Sequence, residues 1–468
     1  MRGRIAKCVS RSGRSVVLPL AAGLMLSAGS LHAETLLEAL AKAYQSSPQL
    51  NADRARQRGT DENVPQALAG YRPQVIASLG AGLQAVRNTL PDNTIQGATL
   101  RPWTIGVTVS QVLFNGFKTA NSVRVAELQV LSGREALRNT GQSVLLDTVT
   151  VYMNVMANQA LVEAQRINVA VLREIEATTQ RRLNAGDVTP TDTAQAEARL
   201  SRGLADLNAA EVTLAISKAT YVQVIGGPPG QLVAATPVDR LSPVTMSASI
   251  ETANREHPAV LGAGYDVDVA QTTIKVAEGS LLPTVALQAN ASRSKQSDST
   301  LGTYGTDQAS ILGQINVPIY DGGIAAAQTR QAKELASQSR LVLEQVRNQS
   351  RTAVVSAWVS NEGSKVALTA AESEVKAADI ALQGVRREAA GGQRTTIDVL
   401  NAQQDLTNAR SRQIQAQHDR VIASYTLLAA VGRLDVRTLV LNTPDYLPEV
   451  HYHQVRDAWH GVRTPSGQ

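Results

Sequence analysis

GVTVSQVLFNG at 106–116 returns, altered but recognisable, as GQINVPIYDGG at 313–323, and this duplication constrains the fold more than any other feature. Each phrase alternates apolar with small or polar residues, then ends in an aromatic, an Asn or Asp, and a Gly: Phe114-Asn115-Gly116 and Tyr320-Asp321-Gly322. The step from 115 to 321 is 206 residues, and the step from Asp192 to Asp398 is the same. Pro48 and Pro258 stand 210 apart, as do Pro73 and Pro283. The four-residue difference falls in the loop between the strands, where insertions cost least. The chain is therefore one structural unit written twice.

The unit reads as helix, strand, strand, long helix, tight turn, helix. Its first copy spans 34–240, with a helix over Leu36–Ala69, strands near 73–86 and 102–113, a long helix over 118–183 and a return helix over 190–225. The second spans 241–432, with a helix over Ile250–Gly279, strands near 283–293 and 310–319, a long helix over 324–389 and a return helix over 396–431. Polar stretches at Asn88–Gly97 and Ser294–Asp307 read as hairpin loops. Both long segments are free of proline, and some 65 residues of helix make a rod on the order of 100 Å. Gly186 closes the first rod and Gly391-Gly392 the second, as glycine past a helix end does. Thr189-Pro190-Thr191-Asp192 and Thr395-Thr396-Ile397-Asp398 then open the return helices as T-x-x-D capping boxes. A tail, 433–468, follows.

Residues 1–33 read as a signal peptide. A basic start (Arg2, Arg4, Lys7, Arg11, Arg14) leads into the apolar run Val16–Ala28, which is too short for a spanning helix, and then into Leu31-His32-Ala33, a cleavage site. Removing it takes away five cations and no anions, so Lys+Arg falls from 45 to 40 and meets Asp+Glu at 40. A neutral, evenly mixed chain has no nucleic-acid footprint. Cys8, the one cysteine, is removed as well, so the mature chain has no thiol chemistry and no disulfide. No nucleophile elbow, phosphate loop or metal spacing is present, so no catalytic residue, metal or cofactor is expected and the chain is not read as an enzyme. His451, His453 and His460 in the tail have no Cys or ordered acidic partner in sequence to complete a metal set.

No stretch after Glu34 approaches the ~20 apolar residues of a membrane helix, so contact with a bilayer has to come through strands. Val75, Ala77, Leu79 and Ala81 alternate with Ser78, Gly80 and Gly82; Trp103, Ile105, Val107 and Val109 alternate with Thr104, Gly106, Thr108 and Ser110. The second copy does the same with Val285, Leu287, Ala289 and Ala291, then Ile311, Gly313, Ile315 and Val317. Alternation alone does not separate a membrane strand from a half-buried hairpin on a soluble domain. Four strands cannot close a barrel, so in a membrane several chains must share one, with small, wettable inner faces that favour a pore.

Together these features resemble the TolC family of outer-membrane export channels, over essentially the whole mature chain. The resemblance rests on the signal peptide, the two strand-pair-plus-helical-hairpin repeats, the junctions at Asn115-Gly116 and Asp321-Gly322, and the Gly186…Asp192 and Gly392…Asp398 tips. It implies an α+β membrane protein: a homotrimer forming a 12-stranded β-barrel in the outer membrane of a Gram-negative bacterium, continued by a 12-helix α-barrel across the periplasm. It also implies partners, namely outer-membrane lipid, a periplasmic adaptor and an inner-membrane ABC or proton-driven pump. By position, Thr191 and Asp192 match one tip of the family's periplasmic gate, and Arg394 and Asp398 the other. This chain departs at Ala389, where the best-known members have tyrosine, and at Asn401, where they have a second aspartate. The tail, from Tyr446 through His451-Tyr452-His453 to Trp459-His460-Gly461, is similar to the branch serving type I secretion of proteins. Export of proteins and of small toxic compounds both fit the architecture. The rival reading is a periplasmic coiled-coil adaptor or stalk with no pore.

Overall fold

The computed structural model describes residues 33–298 and 302–465; the expected signal peptide, 1–33, lies outside them except for Ala33. The chain opens with β1 (Ala33–Glu34) and the helices α1 (Leu36–Ser46), α2 (Pro48–Asp61) and α3 (Asn63–Leu68). Three extended segments follow, β2 (Gln74–Ala81), β3 (Gln84–Thr89) and β4 (Ile95–Asn115), then the long helix α4 (Lys118–Asn184) and its return α5 (Pro190–Ile225). Past β5 (Gln231–Leu232) the second copy comprises α6 (Met246–Glu256), α7 (Pro258–Glu278), β6 (Thr284–Asp298), β7 (Gly302–Asn316), α8 (Ile324–Ala390) and α9 (Thr396–Val431). The tail contributes α10 (Pro448–Val455).

The single helix expected before each strand pair is broken; besides a break at Glu62 in the first copy, each copy breaks at the proline that marks the repeat. Pro48 has no N–H and disfavours helical backbone at Ser47, whose hydroxyl instead accepts from Leu50 N at 3.4 Å and starts α2 afresh. At the second copy His257 does the same before Pro258, its Nδ1 accepting from Ala259 N at 3.2 Å.

The sheet order is β2-β4-β6-β7, antiparallel throughout, with β3 continuing beside β4 beyond the end of β2. In the two apolar rows nearest the helices the register puts like with like across all four strands; in the next row Leu79 and Ile105 align with the ion pair Arg293–Asp307. Val75, Val109, Ala289 and Ile311 form one row and Ala77, Val107, Ala291 and Ala309 the next, all on one face. Between them, on the opposite face, Ile76, Thr108, Asn290 and Ser310 align, with Thr108 Oγ1 donating to Asn290 Oδ1 at 3.1 Å. The hairpin loop expected at 88–97 is shorter: β3 and β4 stay paired from Gln84–Leu100 to Thr89–Ile95, and the turn itself occupies only Leu90–Thr94. Paired backbone continues there without alternation because beyond the apolar rows neither face has to be apolar. The expected loop at 294–307 likewise gives way to paired strand as far as Asp298 and Gly302.

Below the sheet the helices pack as two hairpins, α4 with α5 and α8 with α9, flanked by α7 and α6. Their largest core gathers Leu40 of α1, Leu145 and Tyr152 of α4, Tyr221 and Ile225 of α5, Leu428 of α9, and Leu434 just after it. The Tyr152 hydroxyl reaches the carbonyls of Glu34 (2.8 Å) and Val233 (2.7 Å), joining the parallel β1–β5 pair to this core. A second fixed point is polar. Arg420 of α9 donates to Asn361 Oδ1 of α8 at 2.9 Å and ion-pairs with Asp239 of the linker. Burial works against the Asp239 charge, but the Arg420 guanidinium and the Asn361 amide outweigh it and hold the carboxyl below its ordinary value.

Candidate gate at the paired helix tips

Each long helix ends in a left-handed glycine. Gly186 has φ +82° and Gly392 φ +76°, and Gly391 supplies the last helical cap, its N–H donating to Arg387 O at 3.1 Å. Both return helices start in reciprocal caps. Asp192 Oδ2 accepts from Thr189 N at 3.0 Å and from Thr189 Oγ1 at 2.8 Å. Asp398 Oδ2 accepts from Thr395 N at 2.9 Å and Thr395 Oγ1 at 2.8 Å. The donated backbone and hydroxyl hydrogens, together with the positive end of the helix dipole, stabilise the carboxylates, and both sit below their ordinary pKa. At neutral pH both tips therefore carry an anion next to solvent.

The other two residues matched by position behave differently. Thr191 is exposed. Arg394 folds back on its own tip, Nε donating to Glu388 Oε2 at 2.8 Å. Among the described residues no hydrogen bond or ion pair joins Arg394 to Thr191 or Asp192.

What joins the two hairpins near their ends went unread in the sequence. Leu172 of α4, Ala196 of α5 and Leu400 of α9 close into a small apolar cluster. One turn further from the tip lies a buried polar layer: Asn168 Oδ1 accepts from Gln403 Nε2 (3.2 Å) and Thr407 Oγ1 (3.0 Å), while Arg386 donates to Gln403 Oε1 (3.1 Å). Asn168, Gln403 and Thr407 are all buried. Arg199 of α5 adds a cross-hairpin bond to Asn401 Oδ1 at 2.9 Å. Asn401 was visible as a departure from the resembled pattern; its cationic partner, some 200 residues earlier, was not.

The strand-to-helix junctions fix where the rods leave the sheet. Asn115 clamps the first turn of α4 through Thr119, donating from Nδ2 to Oγ1 at 2.7 Å. Asp321 does so for α8, accepting from Gly323 N at 2.9 Å and Ala325 N at 2.7 Å, bonds that lower its pKa. Gly116 and Gly322 take left-handed backbone at φ +66° and +72°. The next residue is left-handed too, Gly323 in one copy but Phe117 in the other, at φ +62°.

Paired strands with one apolar and one wettable face, running directly into two antiparallel helical rods per chain, define the α+β tandem-repeat architecture of an outer-membrane channel. Residues 39–227 and 249–433 match the family described as outer membrane efflux protein, and the chain belongs to that family, the TolC family. It is 40% identical over 451 residues to the outer membrane efflux protein BepC of Brucella suis, covering 96% of each chain. It is 27% identical to the outer membrane protein TolC of Escherichia coli, covering 91% of this chain and 88% of that one. With the alkaline protease secretion protein AprF of Pseudomonas aeruginosa it shares 26% identity over 73% of this chain and 72% of that one. Among solved structures, the Campylobacter jejuni CmeC outer membrane channel superposes with a TM-score of 0.76 at 14% identity, covering 90% of this chain and 89% of that one. The protein is thus an outer-membrane export channel whose helices extend into the periplasm, and its family is one of channels, not enzymes. The adaptor reading does not account for a four-stranded sheet with matched faces.

Proposed function

We propose that three copies of this chain share one twelve-stranded barrel and that Asp398, with Asp192, lines the periplasmic constriction of the resulting pore. The observation that carries the trimer is the open sheet. Its outer strands β2 and β7 each lack a second neighbour among the described residues, and hydrocarbon does not tolerate unpaired strand edges. Four strands from each of three copies close the barrel and leave a lumen. The rods then meet as twelve helices around the same axis, with the tips at its far end. A ring of three like charges there both repels itself and concentrates cations, so it acts as constriction and filter.

The cargo follows from the kinship with a protease-secretion protein and with efflux channels: unfolded proteins delivered by an inner-membrane ABC pump, and small toxic compounds from pumps of the same membrane. A periplasmic adaptor docking on the helical hairpins would couple pump to channel. The test is planar-bilayer conductance of the purified protein beside Asp398→Asn, which keeps a cap acceptor but removes the charge. Cation-preferring channels that lose preference in the variant support the gate assignment. Channels indifferent to it leave Asp398 a helix cap.

A further inference from the structure

The C-terminal segment is fastened rung by rung along α1–α3. Gln45 Nε2 donates to Thr443 Oγ1 at 2.7 Å. Arg54 lies between the rings of Tyr44 and Tyr446, 4.6 and 5.1 Å from their centroids. His451 Nδ1 stands 2.9 Å from Oδ2 of the fully buried Asp61, and Tyr452 packs against Val64 and Val130. At the last rung Arg72 donates to the Ala458 carbonyl at 2.7 Å and holds its guanidinium 4.7 Å from the centre of the Trp459 ring. Both partners advance together, so the tail climbs toward the sheet, and its last rung lies one residue before Pro73, from which β2 departs.

Trp459 arrives there 68% exposed, followed by a fully exposed Val462. The level is that of the strand-to-helix junctions, where Tyr71 and Phe117 are exposed as well. The Tyr71 carbonyl accepts from Gln111 Nε2 at 2.9 Å, and Gln111 stands by register on the face of β4 that carries Val109, Val107 and Ile105. Arg72 and the indole it holds therefore lie beside the base of the sheet, at the rim from which the strands rise.

We propose that Trp459 is a membrane-interface anchor: its indole sits among the headgroups and upper acyl chains of the phospholipid leaflet facing the periplasm, positioned there by Arg72. Indole suits this boundary because its ring is apolar while its N–H needs a polar partner. An arginine stacked on it keeps its own charge in the wet layer. The inference rests on the outer-membrane placement, and channel conductance in the same vesicles reports that placement separately.

The experiment reconstitutes the full chain in vesicles of phosphatidylcholine and phosphatidylglycerol containing lipids brominated either near the carbonyl end or near the chain middle. Trp459 is read in a Trp103→Phe, Trp358→Phe background, and independently as the difference between wild type and Trp459→Phe. We expect its emission to be lost most strongly with the shallow bromines, and Arg72→Ala to diminish that loss while channels persist. Emission quenched by aqueous iodide and indifferent to bromine would overturn the proposal in favour of a solvated tail. Blue-shifted emission indifferent to both quenchers would overturn it in favour of contact with a neighbouring copy.

Discussion

Gly116 and Gly279 meet backbone to backbone, so that the exit of the first strand pair and the entry to the second share one contact. A β-carbon on Gly279 would lie 2.5 Å from the Gly116 carbonyl oxygen, and one on Gly116 would enter the Gly279 carbonyl. Neither can take a side chain without moving the two repeats apart.

Gly116→Ala and Gly279→Ala should each destabilise the protein by about 1–3 kcal/mol, the range for overpacking a tight contact. Gly186→Ala is the control. It too has left-handed backbone, but no atom within 4 Å of an added β-carbon, so it should lose only about 1 kcal/mol. Thermal unfolding followed by circular dichroism in detergent separates the two; equal losses at Gly116 and Gly186 would dismiss the close contact as a determinant.

Acid should loosen the tips before the rods. Asp192 and Asp398 both sit below the ordinary carboxylate value of 3.8, so their caps contribute fully above that pH and are lost as pH falls through the lower folded values. Hydrogen exchange at Thr189 and Thr395, corrected for intrinsic rate, should be unchanged from neutrality to pH ~5 and accelerate only below ~4. Acceleration near pH 6 would contradict the capping geometry.

Asn168→Ala leaves Gln403 and Thr407 buried with a lost acceptor and should cost about 1–3 kcal/mol. Replacing the layer together, Asn168→Leu with Gln403→Leu and Thr407→Val, should recover most of that loss, because no polar group is then stranded. A triple variant weaker than the single one would mean that the layer contributes net stability and does more than set register.

Arg199 places a cation beside Asn401, one turn from Asp398. If the tips line the pore, Arg199→Ala should raise cation preference over wild type, read as a shift in reversal potential across a salt gradient. Asp398→Asn should move it the other way. Shifts of the same sign would place the two residues at different points of the conduction path.

Arg420→Ala should destabilise by about 1–2 kcal/mol, less than the loss of a fully buried pair because Asp239 is about a third exposed. Asp239→Asn should cost less than Arg420→Ala, since the linker stays hydrogen-bonded to Asn361. Urea unfolding of both variants checks the order.

Local chemistry is what a linear reading recovers. The start of α9 is written as a T-x-x-D box and its end as Gly432, left-handed at φ +88°, because caps act within a few residues. The alternation of Val107, Val109, Ala289 and Ala291 is likewise local, and it is what the register later pairs. The polar layer left no such trace: Asn168 and Gln403 are 235 residues apart, and each alone looks like a solvated helix residue. Phe117 hid for another reason. The aromatic-Asn-Gly phrase marks the turn, but nothing in the letter F announces a left-handed backbone where the other copy spends a glycine.

The rungs that bind the tail to α1–α3 also set an order of events. His451 and Asp61 are separated by 390 residues, Gln45 and Thr443 by 398, so a segment made late completes one made early. Closing a loop of that size costs on the order of 5 kcal/mol in chain entropy, and the contacts that repay it exist only once the tail is present. Until then Asp61 Oδ2 lacks its His451 partner, though Oδ1 already accepts from Gln57 Nε2 at 2.9 Å, and the face beside Val64 is unfilled. A polypeptide interrupted ahead of residue 443 holds both repeats and still lacks its clasp.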